Sequence, residues 1–180
     1  MNDSEAYKRA NSAALRFLSY RARSEAEVRT RLLQRYPSEL VNQVLANLTR
    51  QGLINDSEFA SLWKQSRDNH RPRSAFLIQR ELRAKGVSPD LAAQAVADLD
   101  EADAAYRAGQ KYVRRLRDMD FQKFSTKLWA HLGRRGFNSS TSRNAVTRLW
   151  AESEQQIDSS LSTESTELPF FESSWVSEND

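Results

Sequence analysis

The side chains in this sequence that could do chemistry by type and spacing are its cations. Between Arg73 and Lys85, Ala75, Ile78 and Leu82 fall on one side of a helix turning about 100° per residue, and Arg73, Arg80 and Arg83 fall on the other. From Phe121 to Arg134 the same wheel puts Phe121, Leu128 and Leu132 together, with Lys123, Lys127 and Arg134 opposite. Cations held outward along rigid elements can follow a row of phosphates or an acidic protein surface. Arg73, Arg80, Arg83 and Lys85, with Lys127, Arg134 and Arg135, are therefore the candidate binding residues. One outward Lys or Arg is ordinarily just a solvated side chain, so the sum carries the signal. All 27 Lys and Arg lie in residues 1–150 with 16 of the 24 Asp and Glu, giving +11 there and −8 over residues 151–180.

Catalytic apparatus is not visible. The chain has no cysteine, which removes disulfides, thiolate nucleophiles and cysteine-held metals, and fits a reducing cytoplasm. His70 and His131 are not spaced as a pair on one helix. No G-x-S-x-G, H-E-x-x-H or Asp-rich calcium loop occurs, and five scattered glycines cannot build a phosphate loop. Acid pairs such as Glu25 and Glu27 suit a helix start. The expectation is a protein with no catalytic residue, metal or cofactor, and not an enzyme. No run reaches about 18 apolar residues, and the N-terminal stretch lacks an apolar signal core, so neither a membrane nor secretion is expected.

The elements that must position the cations are helices. Ser24-Glu25-Ala26-Glu27 reads as a capping box, and Asn55-Asp56-Ser57-Glu58 repeats its logic. Ser88-Pro89-Asp90 sets a cap, a first-turn proline and an acid in sequence. Gly52, Gly86 and Gly136 suit the left-handed residue that ends a helix. No alternating run of β-branched residues supports a strand, so the chain reads as all-α, with about nine helices of ordinary length.

These helices repeat. Leu40, Val41, Val44, Leu45 and Leu48 match Leu91, Ala92, Ala95, Val96 and Leu99 at an offset of 51 residues, while Val28 and Leu32 match Ile78 and Leu82 at 50. Leu128, Leu132, Gly136, Phe137, Ala145, Val146 and Leu149 supply the third copy. The reading is three helix-turn-helix-like repeats of three helices each, at 1–54, 55–100 and 101–152, in an elongated array. Residues 153–180, rich in Ser, Thr and Glu, read as a disordered acidic tail with an apolar island at Leu168–Trp175. Phe59, Phe76, Phe121, Phe124 and Phe137 are expected in the core, and Trp63, Trp129 and Trp150 in core or inter-repeat packing.

The strings Arg23-Ser24-Glu25-Ala26-Glu27-Val28, Gly52-Leu53-Ile54-Asn55-Asp56, Glu81-Leu82-Arg83-Ala84-Lys85-Gly86-Val87 and Arg134-Arg135-Gly136-Phe137 resemble the bacterial RecX regulatory proteins over about residues 10–150. The first copy departs from that pattern, with Tyr36-Pro37 where a Lys-Gly-aromatic turn is usual. The resemblance implies a cytoplasmic, monomeric, non-catalytic protein of DNA repair and recombination. It would bind the RecA recombinase filament on DNA and mostly inhibit its ATP hydrolysis and strand exchange. The alternative is a general double-stranded DNA-binding protein of helix-turn-helix-like units.

Overall fold

The computed structural model describes residues 3–164, and the Leu168–Trp175 island lies outside them. Among the described residues there are nine helices and no strand. They are α1 (Asp3–Leu18), α2 (Glu25–Leu33), α3 (Ser38–Arg50), α4 (Asp56–His70), α5 (Ala75–Ala84), α6 (Pro89–Ala95), α7 (Glu101–Val113), α8 (Phe121–Arg134) and α9 (Ser139–Glu164).

Local chemistry sets the boundaries. Ser24 accepts from the Glu27 amide while the Glu27 carboxylate takes the Ser24 amide, so the expected capping box forms in full. At α4 the Asn55 side chain accepts from the Ser57 and Glu58 amides. Pro89 stands in the first turn of α6 behind the Ser88 cap. Gly52, Gly86 and Gly136 have φ of 72°, 82° and 84°, the left-handed conformation that closes α3, α5 and α8.

The helices gather by threes around three apolar clusters. Val28, Leu32, Val44 and Leu48 lie within α1–α3, Phe59, Ile78, Leu82 and Val96 within α4–α6, and Phe124, Leu128, Leu132 and Leu149 within α7–α9. Leu32, Leu82 and Leu132 hold equivalent places and are fully buried. Removing any one to Ala is expected to destabilise its unit by about 2–5 kcal/mol.

Several expectations need correction. Phe76 and Phe121 are 66% and 50% exposed, so only Phe59, Phe124 and Phe137 of the five are core residues, and Trp129 is exposed where Trp63 and Trp150 pack against apolar clusters. Phe76 follows Ala75 by one position and so sits about 100° off the buried stripe of α5. Arg73 is not on α5 at all: it precedes the cap Ser74, where the helical wheel does not apply. Finally, α9 runs on to Glu164, past the point where the sequence reading starts the tail. Ala151, Glu152, Glu154, Gln155 and Gln156 are good helix formers, and no Gly or Pro interrupts the chain before Pro169.

Candidate polyanion interface

The cations are placed by the two joints between units. At the first, the Ser24 hydroxyl donates to the Lys85 carbonyl at 2.6 Å, and Asp56 of α4 accepts from the Glu25 amide at 2.8 Å. At the second, the Ser74 amide donates to the Arg135 carbonyl at 3.0 Å, and Glu101 of α7 accepts from the Ala75 amide at 2.7 Å. In both, a carboxylate from the first residue of the next unit's first helix satisfies an amide left open at a helix start. In both, the glycine turn of the next unit lies against the start of the second helix of the unit before. A Cβ on Gly86 would overlap Ala26, and one on Gly136 would overlap Ser74 and Leu77. Among the described residues no three-helix unit packs against the turn of the first unit, so that turn meets no such neighbour and Tyr36-Pro37 can stand there.

These joints align a strip of cations across all three units. Glu27 binds Arg21 at 2.7 Å, Lys85 at 3.5 Å and Arg23 at 3.9 Å. The Lys85 ammonium also lies 4.4 Å from the Trp63 ring, and Arg67 stacks on the same ring at 4.3 Å. Glu81 then accepts from Arg67 at 2.7 Å and from the Trp63 indole at 2.8 Å, and pairs with Arg73. Arg135 crosses the second joint to the Pro72 carbonyl at 3.2 Å, and its Nε donates to His131 Nε2 at 2.9 Å. Two carboxylates, Glu27 and Glu81, thus stand among Arg21, Arg23, Lys85, Arg67 and Arg73, with Arg71, Arg134 and Arg135 adjoining.

Electrostatics record the crowding. Burial lowers the Arg73 pKa, and Arg67, Arg135 and Arg71 lower it further. Arg135 is lowered by burial, then by Arg71 and Arg134. Burial opposes the Glu27 carboxylate, yet its bonds from Arg21 and the Ser24 amide, with Lys85 nearby, hold it below its ordinary value. His131 is pushed down to about 4 by burial and by Arg135, Arg134 and Arg115, so it is neutral at physiological pH. A neutral ring whose Nε2 accepts from Arg135, stacked on Tyr112 at 4.1 Å, fixes that guanidinium. The strip therefore carries uncompensated positive charge in a fixed arrangement, the condition for binding a polyanion.

Of the seven candidate residues, Arg73, Lys85 and Arg135 lie in the strip. Arg134 adjoins it, and Lys127 shares a face with His131 and Arg134 at i, i+4 and i+7. Arg80 and Arg83 are exposed elsewhere, turned about 100° and 160° from Glu81 around α5. Sequence reasoning missed Glu81, Arg67, Asp56 and Glu101, and with them Arg107, which crosses the second joint to the Asp68 carbonyl and carboxylate. Trp63 and Arg67 at i, i+4, with Glu81 and Lys85 at the same spacing, were the available signal for part of this set. Among the described residues no group of His, Asp and Glu could hold a metal ion, and no helix is long and apolar enough to cross a membrane.

Fold and site together define a class: a tandem array of three-helix units presenting one basic face across its joints. The first, second and third three-helix domains of RecX match residues 10–48, 55–96 and 99–146. The regulatory protein RecX of Mycolicibacterium smegmatis is 36% identical over 148 residues, covering 78% of this chain and 79% of the relative. That of Mycobacterium avium is 34% identical over 155 residues, covering 83% and 90%. The crystal structure of RecX from Lactobacillus salivarius superposes with a TM-score of 0.72 at 20% identity, over 81% of this chain and 97% of that one, a likeness of fold. A second crystal structure of a regulatory protein RecX gives 0.69 at 26% identity, over 78% and 72%. The chain belongs to the RecX family of regulatory proteins.

Proposed function

We propose that this chain is a non-catalytic cytoplasmic regulator that binds the RecA filament on DNA as a monomer and restrains its ATP hydrolysis and strand exchange. The observation that carries this reading is the continuous basic strip from Arg21 to Arg135, spanning three units and both joints. A helical filament offers a repeating acidic and phosphate-lined path, and an array of like units can lie along such a path with each unit in an equivalent place. The strip supplies attraction to phosphate and carboxylate. Its fixed side chains lose less freedom on binding than solvated ones do.

The test is RecA ATPase on single-stranded DNA, titrated with the full chain at near-physiological salt. Inhibition well below stoichiometric amounts is the expected result. An unaffected ATPase with DNA binding intact would refute the proposal. It would favour the second reading, a general double-stranded DNA-binding protein, for which the exposed Arg80 and Arg83 outside the strip supply additional phosphate contacts.

A further inference from the structure

The first unit carries a groove that the strip does not use. It runs between α1 and α2 with a volume of about 590 Å³. Lys8 and Arg16 project from one wall, and Arg31 and Arg35 from the other. Its one carboxylate, Glu5, is engaged by Arg9 of the same helix at 3.5 Å. Three aromatic rings complete the lining: Phe17, Tyr20 and Tyr36. Tyr20 is 75% exposed, an unusual place for a large ring that no described residue covers.

We infer that this groove is a subsite for single-stranded nucleic acid, which stacks an unpaired base on Tyr20 and Tyr36 while the cations of both walls hold the flanking phosphates. The inference rests on the reading of the strip as a phosphate-binding face, and the geometry joins the two. The Phe17 ring has Arg23 of the strip at 4.0 Å and Arg31 of the groove at 6.0 Å, so the groove opens from the end of the strip. A strand followed by the strip reaches the groove without leaving positive potential. Tyrosine beside two rows of cations is the combination that binds unpaired strands without reading sequence, because every base has a face to stack. Among the described residues the groove is lined by the first unit alone. Arg35 and Tyr36 occupy the turn that in the later units is covered by a neighbouring repeat.

The experiment compares a thymidylate oligonucleotide with an abasic deoxyribose-phosphate oligomer of equal length, binding the full chain at low salt. The wild type is expected to prefer the thymidylate strand. Tyr20→Ala should weaken that binding by about tenfold, the loss of one stacked base, and leave the abasic oligomer unaffected. Arg16→Ala with Arg31→Ala should weaken both. Equal wild-type affinity for the two strands overturns the inference, as does a Tyr20→Ala loss of equal size on both. A peptide of residues 165–180 that displaces the strand, and whose own binding is lost in Tyr20→Ala, would also overturn it by making an acidic peptide the occupant. Arg71→Glu with Arg134→Glu separates the two readings. If it removes abasic binding while no base preference exists, only the groove inference fails. If it leaves abasic binding unchanged, the strip reading fails.

Discussion

At the first joint the hydroxyl of Ser24 reaches the Lys85 carbonyl, and at the second the backbone amide of Ser74 reaches the Arg135 carbonyl. Each joint adds a carboxylate, Asp56 or Glu101, on the first amide of the preceding unit's second helix. Beyond this shared frame the joints differ. The first is tied by Lys85 and Glu27 at 3.5 Å. The second is tied by Arg107, which donates to the Asp68 carbonyl at 2.7 Å and to its carboxylate at 2.5 Å, and by Arg135 on Pro72. A single ammonium and a carboxylate near solvent contribute little, whereas a guanidinium with several fixed bonds resists displacement. The comparison teaches that a repeat array can keep one joint form while setting the stiffness of each joint separately.

Glycine substitution should break the comparison with the largest effect. Gly136→Ala is expected to destabilise the chain by about 3 kcal/mol, combining the left-handed backbone and the overlap with Ser74 and Leu77. Gly86→Ala should behave alike through Ala26. Gly52 has the same backbone conformation and nothing within 4 Å of the added carbon, so Gly52→Ala should lose only about 1–2 kcal/mol. Chemical denaturation of the three variants measures the difference, and equal losses at Gly52 and Gly136 would contradict the joint geometry.

Arg107→Ala comes next, at about 1–2 kcal/mol. Hydrogen exchange should quicken at the Ala75 amide of the second joint and stay unchanged at the Glu25 amide of the first. Acid should also act on the second joint, through His131. His131 titrates near 4 in the folded chain against an ordinary value of 6.5, so the unfolded chain binds the extra proton between those values. Its contribution is complete above pH 6.5 and is lost as pH falls toward 4. His131→Gln should flatten that part of a stability profile recorded by circular dichroism.

The smallest expected change in stability follows Glu81→Gln, within about 1 kcal/mol because the cluster is partly solvated. That variant frees Arg67 and Arg73, so its DNA affinity should rise at low salt and fall more steeply with added salt, by roughly one unit of logarithmic slope.

The units were legible in the sequence because each writes its own periodicity and caps: Val28 and Leu32, Ile78 and Leu82, Leu128 and Leu132 recur with turn signals in between. The joints were not. Asp56 looks like any first-turn acid, and its amide partner at Glu25 is 31 residues away, beyond any local pattern. Glu81 sits on a helix that reads as basic, and only the fold shows that it gathers Arg67 and Arg73. The wheel set by Ala75 and Ile78 gives Arg73 an outward helical face, although the helix starts after it. Phe76 misleads for a related reason: helix position fixes direction, but a neighbour decides burial, and no described residue covers that side of α5.

The most direct test pairs two charge reversals in the RecA ATPase assay. Arg71→Glu with Arg134→Glu alters the strip at exposed positions, and Arg80→Glu with Arg83→Glu makes an equal change of charge on the outer face of α5. If the strip is the binding face, the first pair abolishes inhibition with helicity intact, and the second leaves most of it. Equal loss from both pairs, or a larger loss from the second, would contradict the assignment.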